Sequence, residues 1–202
     1  MSLKIEDIFK NRKGNIIGNF KESSVMILIK EIKEEWYLCF EVRALNLKHQ
    51  PGDVCLPGGK IEPGESAREA SIRETKEELN LEDEDFELLG EMDYFISPYN
   101  SIMYGFVSKL KKEELIPSSL EVDHLFWVPL KFFMDNEPLV FDVEMNPYMN
   151  VDFPYHLIRG GANYKFHKGK LQQFFYQYDE YVIWGFTALM VKRFVDIVNN
   201  KA

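Results

Sequence analysis

Three glutamates crowd one side of a segment whose spacing predicts an α-helix. On a helical wheel of about 100° per residue, with Ile72 at zero, Glu74, Glu77 and Glu78 fall between roughly 140° and 240°. They lie opposite a predicted buried stripe that Ile72 forms with Thr75 and Leu79. Like charges at these spacings repel one another and weaken a helix by about 0.2–0.5 kcal/mol per pair. Such a face is either a solvated helix surface or a site for a cation.

Two neighbouring features favour the cation site. The sequence Pro57-Gly58-Gly59 predicts a glycine-rich turn ahead of the helix, where backbone carbonyl oxygens are accessible. Ala67 and Ala70 are expected on the acidic side of the helix, which leaves space above it. Carboxylate and carbonyl oxygens are the ligands that Mg²⁺ and Mn²⁺ prefer. The pattern therefore predicts an all-oxygen site for a divalent cation, and a solvated acidic face is the alternative.

Arg73 is expected to orient the acidic groups. It lies one helical turn before Glu77, and Glu65 is within reach on the preceding turn. A guanidinium that pairs with both carboxylates would fix the side chains that hold a cation. We therefore count Arg73 and Glu65 among the candidate site residues.

The spacing of these residues matches a known motif. Five residues separate Gly59 from Glu65, and seven separate Glu65 from the run RETKEELNL at residues 73–81. The pattern resembles the Nudix box, G-x5-E-x7-R-E-U-x-E-E-x-G-U, at six charged or glycine positions. It departs from the box at Thr75, where an aliphatic residue is usual, and at Asn80, where glycine is usual. Asparagine tolerates the left-handed backbone that ends a helix.

Resemblance to the Nudix family implies an α+β fold, a Nudix-like α/β/α sandwich with a mixed central sheet, and hydrolysis of a nucleoside diphosphate linked to another moiety. It also implies Mg²⁺ or Mn²⁺ as cofactor, which would neutralise the diphosphate and lower the pKa of bound water. By this analogy Glu77 and Glu78 are metal ligands, the Gly59 carbonyl is a further ligand, and Glu74 is either a ligand or the base. Some members place the base on a later loop. Glu121 is the candidate here, and a surface role is its alternative.

A second resemblance concerns the substrate. Residues 43–59 are similar to the coenzyme A pyrophosphatase signature LLTxRSxxxRxxxGxVxFPGG, and residues 183–188 (IWGFTA) are similar to a run near the end of such enzymes. The match is degenerate, because Lys48 replaces an arginine and loses bidentate phosphate geometry. The resemblance implies cleavage of coenzyme A to 3′,5′-ADP and 4′-phosphopantetheine. It makes four residues the expected substrate-binding set: Arg43, Lys48, Gly58 and Gly59.

Other functions stay open. The same metal face could serve ADP-ribose or another nucleoside-diphosphate-linked substrate. The chain could also be a Nudix module that binds a nucleotide without cleaving it, or an interaction scaffold. A sensor or scaffold has no need to keep crowded carboxylates, so the acidic face favours an enzyme.

Composition excludes several classes of protein. The chain has 24 Lys+Arg and 33 Asp+Glu, a formal net charge of −9, and 46% hydrophobic residues, which are values of a globular domain. The acidic balance argues against a nucleic-acid partner, since phosphate backbones need clustered Lys and Arg. It allows a small nucleotide whose phosphates are contacted through metal ions. No run of about 18 apolar residues predicts a membrane span.

Several expectations concern cellular context. The start of the chain lacks the apolar core of a signal peptide, and its end lacks a Ser-Lys-Leu tail, so we expect a cytoplasmic protein. Cys39 and Cys55 are expected to be reduced thiols in strands. The oligomeric state is open: the Nudix family often dimerises, and the N-terminal helix could serve a homodimer.

The elements that must position the site follow from the hydrophobic pattern. We expect one domain over residues 1–202, with an N-terminal helical extension at 1–22 and a loop-rich insertion at 145–171. A capping box at Ser66 and Glu69 predicts where the acidic helix begins. Strands are predicted at 24–32, 36–42, 87–96, 102–110, 126–129, 139–143, 174–178 and 182–184, and helices at 3–12, 66–79, 130–134 and 187–198.

Overall fold

The computed structural model describes residues 5–201, which form four α-helices and eleven strands. The helices are α1 (Ile5–Phe9), α2 (Ala67–Leu79), α3 (Leu130–Asp135) and α4 (Gly185–Val198). The strands are β1 (Lys21–Ile32), β2 (Glu35–Arg43), β3 (Val54–Cys55), β4 (Gly58–Lys60), β5 (Phe86–Glu91), β6 (Phe95–Ser97), β7 (Ser101–Leu110), β8 (Val122–Pro129), β9 (Leu139–Met145), β10 (Gly169–Tyr178) and β11 (Tyr181–Trp184). None of the helices in this part of the chain is both long and apolar enough to cross a membrane.

Eight of the strands form one mixed sheet. Its main path runs β3-β2-β1-β7-β5, and β4, β6 and β8 pair with β1, β7 and β2 respectively. Strands β1 and β7 run parallel, whereas the other pairs of this sheet are antiparallel. A mixed sheet with helices packed on it confirms the predicted α+β class.

The sheet is covered on both faces because alternate residues of a strand point in opposite directions. On β1, Ile27 and Ile29 belong to a buried cluster that includes residues of α3 and α4. Met26 and Leu28 belong to a second cluster, which includes Leu79 at the end of α2. Helix α2 thus lies on one face and α3 and α4 lie on the other, which is the layered sandwich that was expected.

A second sheet is the main difference from the prediction of one central sheet. Strands β9, β10 and β11 form a three-stranded antiparallel sheet in the order β11-β10-β9. Its register pairs residues that are distant in sequence, such as Leu139 with Phe175. The hydrophobic pattern locates each of these strands but carries no information on which strand pairs with which.

Other boundaries also differ from the prediction. The strand expected at 87–96 is divided into β5 and β6, and a register shift between Leu88 and Gly90 accompanies the break. A helix was expected at 3–12, and the structure has the shorter helix α1, which contains no buried residue. Residues 3 and 4 lie outside the described range. The segment 145–171 contains short 3-10 helices at Tyr155–Leu157 and Gly161–Asn163. The domain division stays a prediction.

Helix α2 has the two ends that the sequence predicts. The Ser66 side chain accepts a hydrogen bond from the Glu69 N–H (3.2 Å), and the Glu69 carboxylate accepts one from the Ser66 N–H (2.8 Å). At the other end, Asn80 has the left-handed conformation, with φ 49° and ψ 52°. These caps fix where α2 begins and ends, and so they fix the positions of its acidic residues relative to the sheet.

The rotation of α2 was predicted correctly for Thr75 and Leu79, which are buried, and wrongly for Ala70 and Glu78. Its buried residues include Ala70, Thr75 and Glu78, whereas Ile72 is only half-buried. Ala70 therefore packs against the sheet and does not open space beside the acids, and Glu78 lies on the buried side. Thr75 is accepted there because its hydroxyl donates to the Ser71 carbonyl (2.7 Å). The wheel misplaced Glu78 because hydrophobicity carries no information on the hydrogen bond from Gly58 that this carboxylate accepts in the interior.

We expect Ser66→Ala to lower the free energy of unfolding by about 1 kcal/mol, because the first turn of α2 loses its side-chain acceptor. Urea denaturation measures this change, and Ser119→Ala, at an exposed loop serine, is the matched control. Equal stabilities of the two variants would contradict the role of the cap.

Candidate functional site

The site is built where β4 lies beside α2. Strand β4 pairs antiparallel with β1, with Gly58 opposite Val25 and Gly59 opposite Ser24. Gly58 has φ 150°, and a Cβ there would collide with the backbone of Ser24 and Val25. Only glycine therefore allows this close approach of two backbones.

The two glycines each meet one glutamate of α2. The Gly58 N–H donates to Glu78 Oε2 (2.8 Å). A Cβ on Gly59 would overlap the carboxylate of Glu74, so that carboxylate lies directly against the Gly59 backbone. The structure thus brings together Gly58, Gly59, Glu74 and Glu78 as the sequence predicts.

Glu78 is nearly inaccessible, with 2% of its surface exposed. Its pKa is raised to about 9, first by burial and then by repulsion from Glu41, with Glu74 and Glu121 adding to it. The hydrogen bond from Gly58 acts in the opposite direction. A buried carboxylate in this position is costly unless an added positive charge balances it.

Glu41 is a site residue that the sequence analysis missed. It is fully buried on β2, and burial is the main reason that its pKa is raised to about 7. The Cys55 thiol donates to Oε1 (3.1 Å), and Oε2 has no hydrogen-bond partner. The available signal was a single acidic residue inside the apolar run WYLCFEV. Cys39 and Cys55 are both free thiols, as predicted.

Arg73 connects the glycine-rich loop to the helix. Its Nε and Nη2 donate to the two oxygens of Glu65 (2.9 and 3.1 Å), and Nη2 also donates to the Lys60 carbonyl (3.1 Å). Its Nη1 lies 2.9 Å from Glu74 Oε1 and 3.1 Å from Glu77 Oε2. The predicted contacts of Arg73 with Glu65 and Glu77 are present, and Glu74 is an additional partner.

Glu77 lies on the outer side of this network. More than half of its side chain is exposed, and its carboxylate pairs with Arg73, whereas Glu78 is buried against Gly58. The Glu121 carbonyl accepts a hydrogen bond from the Ala44 N–H (2.8 Å), which places this exposed residue beside the end of β2. Its charge contributes to the raised pKa of Glu41, Glu74 and Glu78, so the predicted loop base lies on the side of the acidic cluster.

The donor set fits a hard divalent cation. The available donors are carboxylate oxygens and the Gly59 carbonyl, and one buried oxygen, Glu41 Oε2, has no partner. Burial raises the pKa of Glu41, Glu74 and Glu78, and a divalent cation beside them would favour their charged forms. Within residues 5–201, no three Asp, Glu, His or Cys side chains are arranged closely enough to hold a metal as they stand. The chemistry of the donors, not a preformed cage, is what matches Mg²⁺ or Mn²⁺.

A cavity of about 760 Å³ opens beside this cluster. Gly58, Gly59, Cys55 and Arg43 line one part of it, and aromatic residues line another, including Trp184. Such a volume suits a nucleotide-sized ligand.

The two predicted substrate cations differ in position. Arg43 lines the cavity, and its Nε is buried without a hydrogen-bond partner. Lys48 is exposed on the loop that follows β2 and is not among the residues that line the cavity. The structure brings Arg43, but not Lys48, to the cavity wall.

Comparison with known proteins identifies the family. The NUDIX domain matches residues 21–143, which is more than half of the chain. The chain belongs to the Nudix family. The matched region contains the glycines, glutamates and arginines of the site, whereas Trp184 of the cavity lies beyond it.

This Nudix chain is similar to two relatives described as peroxisomal coenzyme A diphosphatases. It is 28% identical to ndx-8 of Caenorhabditis elegans over 176 residues, which cover 84% of the chain and 65% of the relative. It is 31% identical to NUDT7 of Mus musculus over 113 residues, which cover 55% of the chain and 48% of the relative. The aligned part is thus less than two thirds of either relative.

A solved structure supports the fold alone. The MutT/nudix family protein from Enterococcus faecalis superposes with a TM-score of 0.51 at 14% sequence identity, covering 96% of this chain and 68% of that one.

The ion pair of Arg73 and Glu65 predicts a pH-dependent contribution to stability. Hydrogen bonds from Arg73 and from the Glu62 N–H lower the pKa of Glu65, so the pair stabilises the fold above the usual glutamate pKa of about 4.3 and is lost as the pH falls through the lowered value. We expect Glu65→Gln to be less stable than the wild type at pH 7. The difference should shrink below about pH 4, because a protonated Glu65 resembles glutamine.

Chemical denaturation of both proteins from pH 3 to pH 8 measures this difference, and Glu180→Gln, in an exposed turn, is the control. A difference that does not change with pH would show that the charge of Glu65 is not what stabilises the loop.

Proposed function

We propose that the protein is a divalent-metal-dependent Nudix hydrolase that cleaves the diphosphate of coenzyme A or a derivative, giving 3′,5′-ADP and 4′-phosphopantetheine. The observation that carries this proposal is the position of Glu74 and Glu78 against Gly59 and Gly58, at the edge of the cavity that Arg43 lines. A diphosphate in that cavity would lie beside the carboxylates.

The residues proposed to hold Mg²⁺ or Mn²⁺ are the Gly59 carbonyl and the carboxylates of Glu74, Glu77 and Glu78. When bound, the cation would neutralise the diphosphate and lower the pKa of a bound water. Arg73 and Glu65 orient this set, since the guanidinium contacts Glu65, Glu74 and Glu77. Glu121 is the proposed base, which would accept a proton from the attacking water.

Arg43 is the proposed contact for a substrate phosphate. Its buried Nε donor faces no protein acceptor, and its side chain lines the cavity on the side of Gly58 and Gly59. Guanidinium groups bind phosphate in a bidentate manner. Coenzyme A carries a 3′-phosphate in addition to its diphosphate, and that group requires a cation. Lys48 remains a proposed second contact, although its exposed position gives it less support.

The names of the relatives support coenzyme A as the substrate. Two of them are described as coenzyme A diphosphatases, and the similarity extends over most of this chain in the nematode protein. The cytoplasmic location and the homodimer expected from the sequence stay predictions, and both of these relatives are described as peroxisomal.

Product identification tests the proposed reaction. We expect the protein with Mn²⁺ to convert coenzyme A to 3′,5′-ADP and 4′-phosphopantetheine in a mixture that also contains ADP-ribose and NADH, as read by mass spectrometry. EDTA should abolish turnover. Glu78→Gln should lower kcat at least about a hundredfold with its circular dichroism unchanged, and Glu91→Gln, at an exposed glutamate of β5, is the matched control.

Each other result has a defined meaning. Preferential cleavage of ADP-ribose or NADH would show that this compound, and not coenzyme A, is the preferred substrate. Binding of coenzyme A without any cleavage would make the protein a nucleotide-binding module. Full activity in Glu78→Gln would show that the carboxylate of Glu78 is not required for the reaction and would contradict its role as a metal ligand.

A second experiment tests Arg43. We expect Arg43→Ala to raise KM for coenzyme A at least about tenfold, and to raise KM for the 3′-dephospho form less, because one phosphate contact is lost. Arg68→Ala, at an exposed arginine of α2, is the control. Lys48→Ala tests the second proposed contact in the same assay. An equal effect of Arg43→Ala on both substrates would remove Arg43 from recognition of the 3′-phosphate.

A further inference from the structure

Glu41 lies on the face of the sheet that α2 covers. Residues of β2 alternate between the two faces: Leu38 and Phe40 pack in the cluster below α4, whereas Cys39 packs with Leu79 of α2. Glu41 is two residues beyond Cys39 and so points to the same face. Its cross-strand neighbours are Cys55 of β3 and Leu125 of β8.

The contacts of Glu41 do not account for its charge. The side chain is fully buried, its Oε1 accepts only from the Cys55 thiol, and its Oε2 has no partner among the protein atoms. A thiol is a weak donor. A carboxylate whose role was purely structural would be paired or fully hydrogen-bonded when it is buried this deeply.

The charges that face Glu41 are mostly of the same sign. Glu74 and Glu78 of α2 and Glu121 of the loop before β8 are close enough to repel it, and Arg43 of β2 is the attractive neighbour. Glu74 and Glu78 of the helix α2 and Glu41 of the strand β2 thus belong to one acidic cluster. Such a group is neutralised either by a proton, which its raised pKa favours, or by a cation that it shares with the other carboxylates.

We propose that Glu41 takes part in holding the divalent cation, with its free Oε2 as the donor oxygen. The inference rests on the proposed metal-dependent function and adds to it a residue that lies outside the glycine-rich turn and helix of the motif. A bound cation would turn the repulsion between Glu41 and Glu78 into attraction of both for one positive centre. The sheet would then fix the cation from below while α2 fixes it from the side.

Cation affinity without substrate tests the role of Glu41. Binding of Mn²⁺, followed by the electron paramagnetic resonance signal of the free ion, should be weakened about tenfold or more in Glu41→Gln, since loss of a group that supports a metal typically has this effect. The rise in Tm caused by Mn²⁺ should shrink as well. Without metal, the variant should be at least as stable as the wild type, because a buried repulsion is removed.

Glu41→Asp provides a second variant if the glutamine variant does not fold. Aspartate keeps the charge but withdraws the oxygens by one methylene, so Mn²⁺ should again bind more weakly than in the wild type. Glu91→Gln is the control and should bind Mn²⁺ as the wild type does. A structural role alone would alter the metal-free stability and leave the Mn²⁺ affinity of both Glu41 variants unchanged.

The possible failures are distinguishable. If the wild type binds Mn²⁺ and both Glu41 variants bind it equally tightly, the role of Glu41 is overturned and the proposed hydrolase is not. If the wild type binds no Mn²⁺ at millimolar concentration, both proposals are overturned.

Discussion

The structure depends on the burial of several ionisable carboxyl groups next to a glycine backbone. Glu78 and Glu41 lie inside the protein, Glu74 lies against Gly59, and the nearby guanidinium groups of Arg73 and Arg43 offset only part of this charge. Burial of like charges opposes folding, so the rest of the domain must stabilise this arrangement. Such an arrangement is expected at a site that binds a cation together with an anionic ligand.

The fold meets this requirement with rigid elements. Strand β4 is held by pairing with β1, and the two glycines allow the backbone to approach where side chains would collide. Helix α2 is fixed at both ends, by the capping box at Ser66 and the left-handed Asn80. Arg73 then joins the loop to the helix through Glu65. The hydrophobic clusters on the two faces of the sheet supply the stabilisation that these polar contacts alone would not.

The sequence predicted those features that depend on local spacing. The start and end of α2, the contact of Arg73 with Glu65, and the α+β class all follow from residues that are near one another in the chain. The burial of Thr75 and Leu79 followed as well, whereas the burial of Glu78 did not, because Glu78 is held on the buried side by a hydrogen bond from Gly58. This bond depends on the tertiary arrangement, which hydrophobicity does not encode.

The features that were missed are long-range. Glu41 looks like an irregularity in an apolar strand until β2 is placed beneath α2, and its partner Cys55 belongs to another strand. Likewise, Arg43 and Lys48 look equivalent in the sequence as phosphate contacts. In the fold, Arg43 lines the cavity, whereas Lys48 is exposed and does not line it. The second sheet also depends on pairing between distant segments.

Anomalous scattering from crystals soaked in Mn²⁺ is the most direct measurement of whether the buried carboxylates serve a cation. We expect a peak bounded by the Gly59 carbonyl and the carboxylates of Glu74, Glu78 and Glu41. The account would be contradicted by a crystal that shows no peak there. In such a crystal the carboxylates would keep their positions and accept hydrogen bonds from water or from protein groups.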